Sequence, residues 1–255
     1  MREIEAQLKE SSVSLTDPDT RAMATNISCG LVVYNVQTAV ETKHHLIVAH
    51  EVTNIGTNRQ HLSRMAKQGK VAMETDELNV LADRGYYNGD EILACDEAGI
   101  TPYVSTPMTS GARAEGRFDK EDFVYDAATD QYLCPAGSRL IWRFARIENG
   151  HLINRYWSSD CPRCPIRGQR TPSQQRQVSL WEHEASLEAM QRRLDMRPEA
   201  IRIRRQTVEH PFGTIKHWMR AWYFLTKTLD RVSTVMSLHV LAYNMKRVMQ
   251  IMGKR

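Results

Sequence analysis

The chain has 255 residues, a formal net charge of +4 and 42% hydrophobic residues, which is room for one large domain, or a domain with an insertion, around a real core. No apolar run approaches the length needed to span a bilayer, and Met1-Arg-Glu-Ile-Glu-Ala lacks a signal-peptide pattern, so neither a membrane span nor an export leader is expected. Five Cys, an odd number, argue against a disulfide framework and for a reducing compartment, hence a cytoplasmic protein.

Met1 to Glu10 reads as the tail of a charged helix, with Ile4 and Leu8 four apart and no start signal before them. Ser11 to Asp19 reads as a short strand ending in an acidic turn, because Pro18 follows Asp17. Leu31 to Val40 alternates apolar and polar as a strand does, Glu41 to His44 is the turn, and His45 to Val52 is the return strand of a hairpin. Asn58 to Lys70 has the spacing of an amphipathic helix with Leu62, Met65 and Ala66 inward. Leu78-Asn-Val-Leu-Ala82 is nearly continuous in apolar residues, as a buried central strand is. It gives way to Asp83-Arg-Gly-Tyr-Tyr-Asn-Gly, a helix from about Asp90 to Ala98, and a strand at Thr101 to Val104. This order makes an α/β layer arrangement in which the carboxyl end of the central strand is the natural place for a site.

Thr106 to Gly116 is small and polar, a linker. From Phe118 to about Leu180 the texture changes to short aromatic strands, turns and clustered Cys, which reads as an inserted module. Trp181 to Leu194 is helical, Pro198 opens a basic helix, and Asp230 to Met252 forms a long final helix. Val235, Leu238, Leu241, Met245 and Val248 share one face of it, read as core.

The charge is unevenly spread: between Gln191 and Arg220 eight Lys and Arg stand against three acids. Such a cluster suits a polyanion; the bland alternative is a solvated basic helix. At about 100° per residue, Arg205, Glu209 and Lys216 fall within about 40° of one another, and Arg202 widens the arc by about 20°. That face holds only if the helix continues through Pro211 with a kink; if Pro211 instead starts a new helix, Glu209 loses its phase with Arg205. Asp83 projects where a buried strand meets a glycine turn; its alternative role is to serve that turn through its own backbone. The alternative for Glu209 is a surface pair with Arg205. Taken together, Asp83 and Glu209 can share divalent ions, Mg²⁺ or Mn²⁺, while Arg and Lys hold a phosphate backbone.

Leu15-Thr-Asp-Pro-Asp-Thr-Arg21, Tyr34 to Val40, His44 to Asn54, Ala82-Asp-Arg-Gly-Tyr86, Thr207-Val-Glu-His-Pro-Phe-Gly-Thr-Ile-Lys216, Phe224 to Lys227 and Leu241 to Asn244 resemble the C-terminal part of bacterial insertion-sequence transposases with a DDE catalytic domain. Many of these share a Tyr-x2-Arg-x3-Glu-x6-Lys pattern, which Arg205, Glu209 and Lys216 match in spacing, with Arg202 at the Tyr position. The resemblance implies an RNase H-like mixed sheet flanked by helices, a small β-rich insertion carrying the Cys residues, and a helical C-terminus. It divides the chain into 1–25, the end of a helical insert; 26–105, the first part of the core; 106–180, the inserted module; and 181–255, the helical remainder. It implies Asp83 as second acid and Glu209 as third, both on Mg²⁺. It further implies Arg202, Arg205, Lys216 and Arg220 on DNA, with double-stranded terminal repeats and target DNA as partners and a homodimer acting on paired ends.

Two departures follow. The first acid of the family stands in an Asp-Gly-Thr/Ser motif, and this chain has no Asp-Gly; an N-terminally truncated copy is the expectation, with Asp17 or Asp19 as the substitute to weigh. Asn58 also stands where relatives often carry Asp, expected to loosen a loop near the site. Cys134, Cys161 and Cys164 resemble a zinc-ribbon-like insert whose further Cys is replaced by Arg170. They can bind Zn²⁺ if His151 or His183 completes the tetrahedron; reduced structural thiols are the alternative, and the reading for Cys29 and Cys95. The competing functions are a metal-dependent transposase, a DNA-binding remnant without catalysis, and a zinc-stabilised interaction module.

Overall fold

The computed structural model describes residues 14, 16–23, 31–107, 115–169, 171 and 173–253. The helix expected over Met1 to Glu10, most of the strand expected from Ser11, part of the 106–116 linker, Cys29 and Arg170 lie outside them. The chain divides into two compact units, residues 1–106 with 189–255, and residues 107–188.

In the first unit, β1 (Arg21–Met23) pairs antiparallel with β2 (Leu31–Val33). The long strand expected over Leu31 to Val40 is broken at Tyr34, whose hydroxyl donates to Asp17. Its second half, β3 (Asn35–Val40), forms the expected hairpin with β4 (Ile47–Thr53), running from Asn35↔Thr53 to Val40↔Ile47. Then follow α1 (Leu62–Ala72), β5 (Leu78–Ala82), α2 (Gly89–Glu97) and β6 (Ile100–Val104). β5 and β6 are parallel, from Leu78↔Ile100 to Ala82↔Val104, joined through α2 as parallel neighbours must be. β5 is only partly buried and has one hydrogen-bonded neighbour among the described residues, so it is not the fully covered central strand that its apolar run predicts.

The C-terminal part of this unit holds the end of α3 (Glu184–Met196), α4 (Glu199–Gly213), and α5 (Leu229–Ile251). Val232, Met236, Val240 and Tyr243 of α5 pack with Ile47, Val52 and Ile215 to form a core cluster. The apolar face expected to be core points elsewhere: Leu238, Leu241 and Met245 are 61%, 56% and 58% exposed. Polar anchoring sets the phase. Tyr243 Oη donates to the carbonyl of His45, Asn244 bonds both the N–H and the C=O of Ile47, and Arg247 Nε donates to the carbonyl of His44.

The second unit is an antiparallel sheet in the order β11-β10-β9-β8-β7, built from β7 (Val124–Asp126), β8 (Gln131–Leu133), β9 (Arg139–Glu148), β10 (His151–Trp157) and β11 (Val178–Trp181). The β9–β10 hairpin turns on Asn149-Gly150, both at positive φ (52° and 86°), as a type I′ turn requires. Phe123, Tyr132, Leu140, Tyr156 and Val178 form its core. The helix expected from Trp181 starts later, because Trp181 pairs with Ile153 as the last residue of β11. Among the described residues no helix is long and apolar enough to cross a membrane.

Candidate nucleic-acid and metal site

Asp83 stands at the carboxyl end of β5, where the chain leaves the strand for a short 3₁₀ turn, Arg84–Tyr86. One carboxylate oxygen accepts from the Gly85 N–H at 3.3 Å, so the turn-serving role is present. The other is ion-paired at 3.0 Å with Arg204 of α4. Asp83 is half exposed, and it shares with Ser105, Arg204 and Arg205 a cleft of about 440 Å³ at the carboxyl ends of β5 and β6.

The turn is tied to the hairpin through Tyr86, whose hydroxyl donates to Gln37 Oε1. Gln37 Nε2 and Asn35 Nδ2 each donate to Asn58 Oδ1 at 2.9 Å. Asn58, expected to loosen this region, is instead the shared acceptor that ties loop to strand. Burial first, and then the Asp83 charge, raise the Tyr86 phenol to about 12 against the opposing pull of Arg204. Tyr86 therefore stays a neutral donor at ordinary pH.

α4 runs unbroken past Pro211 to Gly213 and then widens into a π-helical turn, Thr214–Trp218. Arg202, Arg205 and Glu209 therefore keep the common face the spacing predicts, and all three are exposed. Lys216 lies in the π turn, where the wider winding shifts its phase. Glu209 makes no ion pair with Arg205 among the described residues. The cation that reaches Asp83 is Arg204, about 140° round the helix from Glu209. A wheel of α4 carries a signal for it: Arg204 falls among the buried Ala200, Thr207 and Pro211, and a cation on an inward face needs a partner.

Beyond α4 the chain is cationic and aromatic. Lys216 and Arg220 are exposed, with Trp218, Trp222 and Tyr223 at 80%, 53% and 84% exposure. Sequence reasoning missed these aromatics, although three of them within six positions of a basic loop exceed what a core element needs.

Asp17 sits apart from the cleft holding Asp83 and serves a helix. It is 7% exposed. Its carboxylate accepts from Tyr34 Oη at 2.8 and 2.9 Å and from the Thr228 N–H at 3.3 Å, while Asp19 accepts from the Leu229 N–H at 2.9 Å. These are the free donors at the start of α5. This arrangement accounts for Asp17 as a helix cap.

Among the described residues no three His, Cys, Asp or Glu gather as a metal ion requires. That includes Cys134, Cys161 and Cys164. Cys134 is taken up by the core beside Phe123 and Leu140, and Cys161 is buried. The Cys95 thiol is likewise a core group, pushed to about 12 chiefly by burial.

No curated protein and no solved structure matches the chain. One family model does, described as the transposase DDE domain, over residues 133–249. The matched span holds Glu209 and the basic helix; Asp83 and Asp17 lie upstream of it. Domains of this kind generally use divalent metal ions. Carboxylate oxygens suit such ions, but with Asp83 held by Arg204 and no third acid gathered among the described residues, the residues as arranged do not form that site. Across α4 and most of α5 the matched span is similar to the transposase DDE domain.

Proposed function

We propose that this chain acts on double-stranded DNA as a transposase-family protein, and that by itself it binds DNA without cutting it. The observation that carries the reading is the exposed surface of α4 and the loop after it: Arg202, Arg205, Lys216 and Arg220 beside Trp218, Trp222 and Tyr223. Cations on a helix face suit phosphates, and bare aromatic rings beside them suit bases unstacked at a broken or distorted end. Asp83, neutralised by Arg204, places no free negative charge where a phosphate would come.

A second reading keeps Asp83 and Glu209 as catalytic acids. It is favoured by the position of Asp83 at the carboxyl end of a parallel strand pair, beside a cleft. On this reading the site needs a further carboxylate.

Two measurements separate the readings. Fluorescence anisotropy on a mixed-sequence duplex is expected to show affinity falling with salt. Arg202→Ala with Arg205→Ala should reduce the slope of log affinity against log salt by about 1.8, roughly 0.9 for each phosphate no longer neutralised. An unchanged slope removes α4 from the interface. Nicking of supercoiled plasmid in Mg²⁺ or Mn²⁺ is expected to be absent; nicking that Asp83→Ala or Glu209→Ala abolishes selects the second reading.

A further inference from the structure

The cleft at the carboxyl ends of β5 and β6 carries more positive charge than its one acid offsets. Arg84, Arg204 and Arg205 border it together with Asp83 and Ser105. Arg84 opens the 3₁₀ turn after Asp83, while Arg204 and Arg205 are successive residues of α4, about 100° apart on the helix. Two separate elements thus bring cations to one place. The wall behind them is apolar: Tyr103, Leu194 and Ala200 form a buried cluster with Leu81 packed against it, and all four border the cleft. Charges beside such a low-dielectric wall act on an incoming ion more strongly than charges on an open face.

Asp83 engages Arg204 through one terminal guanidinium nitrogen at 3.0 Å. A guanidinium carries five N–H donors, so an oxyanion can use others. The carboxylate itself is held in place by the Gly85 N–H. The positive charge that a divalent ion would bring to Asp83 is brought by Arg204 instead.

Three guanidiniums against one carboxylate leave an excess of two positive charges in the cleft. That excess matches a phosphate monoester, which is close to a dianion above its second pKa of about 6. A phosphodiester, with its single charge, leaves half of it unmet. We infer that the cleft is a metal-independent site for a terminal phosphate, held by Arg84, Arg204 and Arg205. Its volume of about 440 Å³ has room for the phosphate and part of the molecule that bears it. The inference rests on the cleft and not on the outer surface of α4, so it and the duplex reading fail separately.

The test titrates the full chain in EDTA with methyl phosphate, a monoester, and with dimethyl phosphate, a diester, by calorimetry. Saturable binding of one methyl phosphate per chain is expected, at least tenfold tighter than dimethyl phosphate at pH 8. The two should converge toward pH 5, as the monoester loses its second charge. Arg84→Gln and Arg204→Gln are each expected to weaken methyl phosphate at least fivefold. Arg202→Gln, outside the cleft, should leave it unchanged and still weaken duplex binding. Asp83→Asn should keep methyl phosphate binding or strengthen it severalfold, whereas a metal-held phosphate would be lost. Unchanged amide exchange in residues 78–82 and 100–104 reports that each variant is folded. Displacement of methyl phosphate by a duplex with 5′-phosphates, and not by one with 5′-hydroxyls, assigns the site to a strand end; displacement by neither assigns it to a free phosphate monoester. Displacement by both alike, binding that requires Mg²⁺, equal affinity for dimethyl phosphate, or affinity unmoved in Arg204→Gln overturns the proposal.

Discussion

Asp83 has two partners with different consequences. The Gly85 N–H shapes the turn, and Arg204 sets the local charge. The ion pair is half exposed, so removing it costs little: Arg204→Ala should move the urea-derived stability by no more than about 1 kcal/mol. The same variant frees a carboxylate in the cleft and is expected to weaken duplex binding, an effect anisotropy reads separately from folding. The place of Asp83 at the carboxyl end of β5 was legible from the pattern of an apolar run meeting a glycine turn. Arg204 was not, because the spacing that resembled a known pattern pointed to Arg205, one position and about 100° away. The histidines add a pH response. Burial lowers the pKa of His50, His61 and His210 below the usual value, with Arg64 adding to the effect at His61 and Arg247 at His210. Each is favoured neutral in the folded chain, so the unfolded chain binds more protons below about 6.5. Their contribution is fully present above that pH and is lost as pH falls toward the lowered folded values. Denaturant midpoints should drop between pH 7 and 5, and drop less in His61→Gln.

At the scale of elements, the start of α5 shows how far a sequence pattern reaches. Its cap comes from Asp17, 211 positions away from Thr228. No local spacing could show that, and an acid ending a short strand invites a catalytic role instead. Asp17→Ala removes a buried carboxylate that accepts from Tyr34 and Thr228, hydrogen bonds to a charged group of about 1.5–3 kcal/mol each at most; a net loss of about 2 kcal/mol in chemical denaturation is expected. Thr228 occupies φ 74°, a conformation costly for a β-branched residue. Thr228→Gly keeps the N–H and relieves the strain, so it should raise stability by about 1 kcal/mol. The phase of α5 failed for a related reason. Its regular apolar stripe read as core, but Tyr243, Asn244 and Arg247 find backbone partners in the β3–β4 hairpin and turn the other face inward. The hairpin, α1, β5, α2 and β6 were legible within a few residues, because their periodicity and turn residues are local.

The molecule as a whole is two units with separate cores. The change of texture at Phe118 falls within the second, residues 107–188, and Cys134 takes part in its core. Leu140 has no exposed surface, so Leu140→Ala should cost about 2–5 kcal/mol. Amide exchange should show that loss within residues 124–181 and leave β3 to β6 unaffected. The second unit also has its own optical reporter. The Tyr132 ring lies 4.9 Å from Tyr125 and 5.2 Å from Tyr156, tilted or edge-on, and Asp130 accepts both outer hydroxyls. Three chromophores locked at these angles couple their electronic transitions, so this unit should carry a near-ultraviolet circular dichroism band that melts with its own midpoint, distinguishing its unfolding from that of the first unit in a single scan.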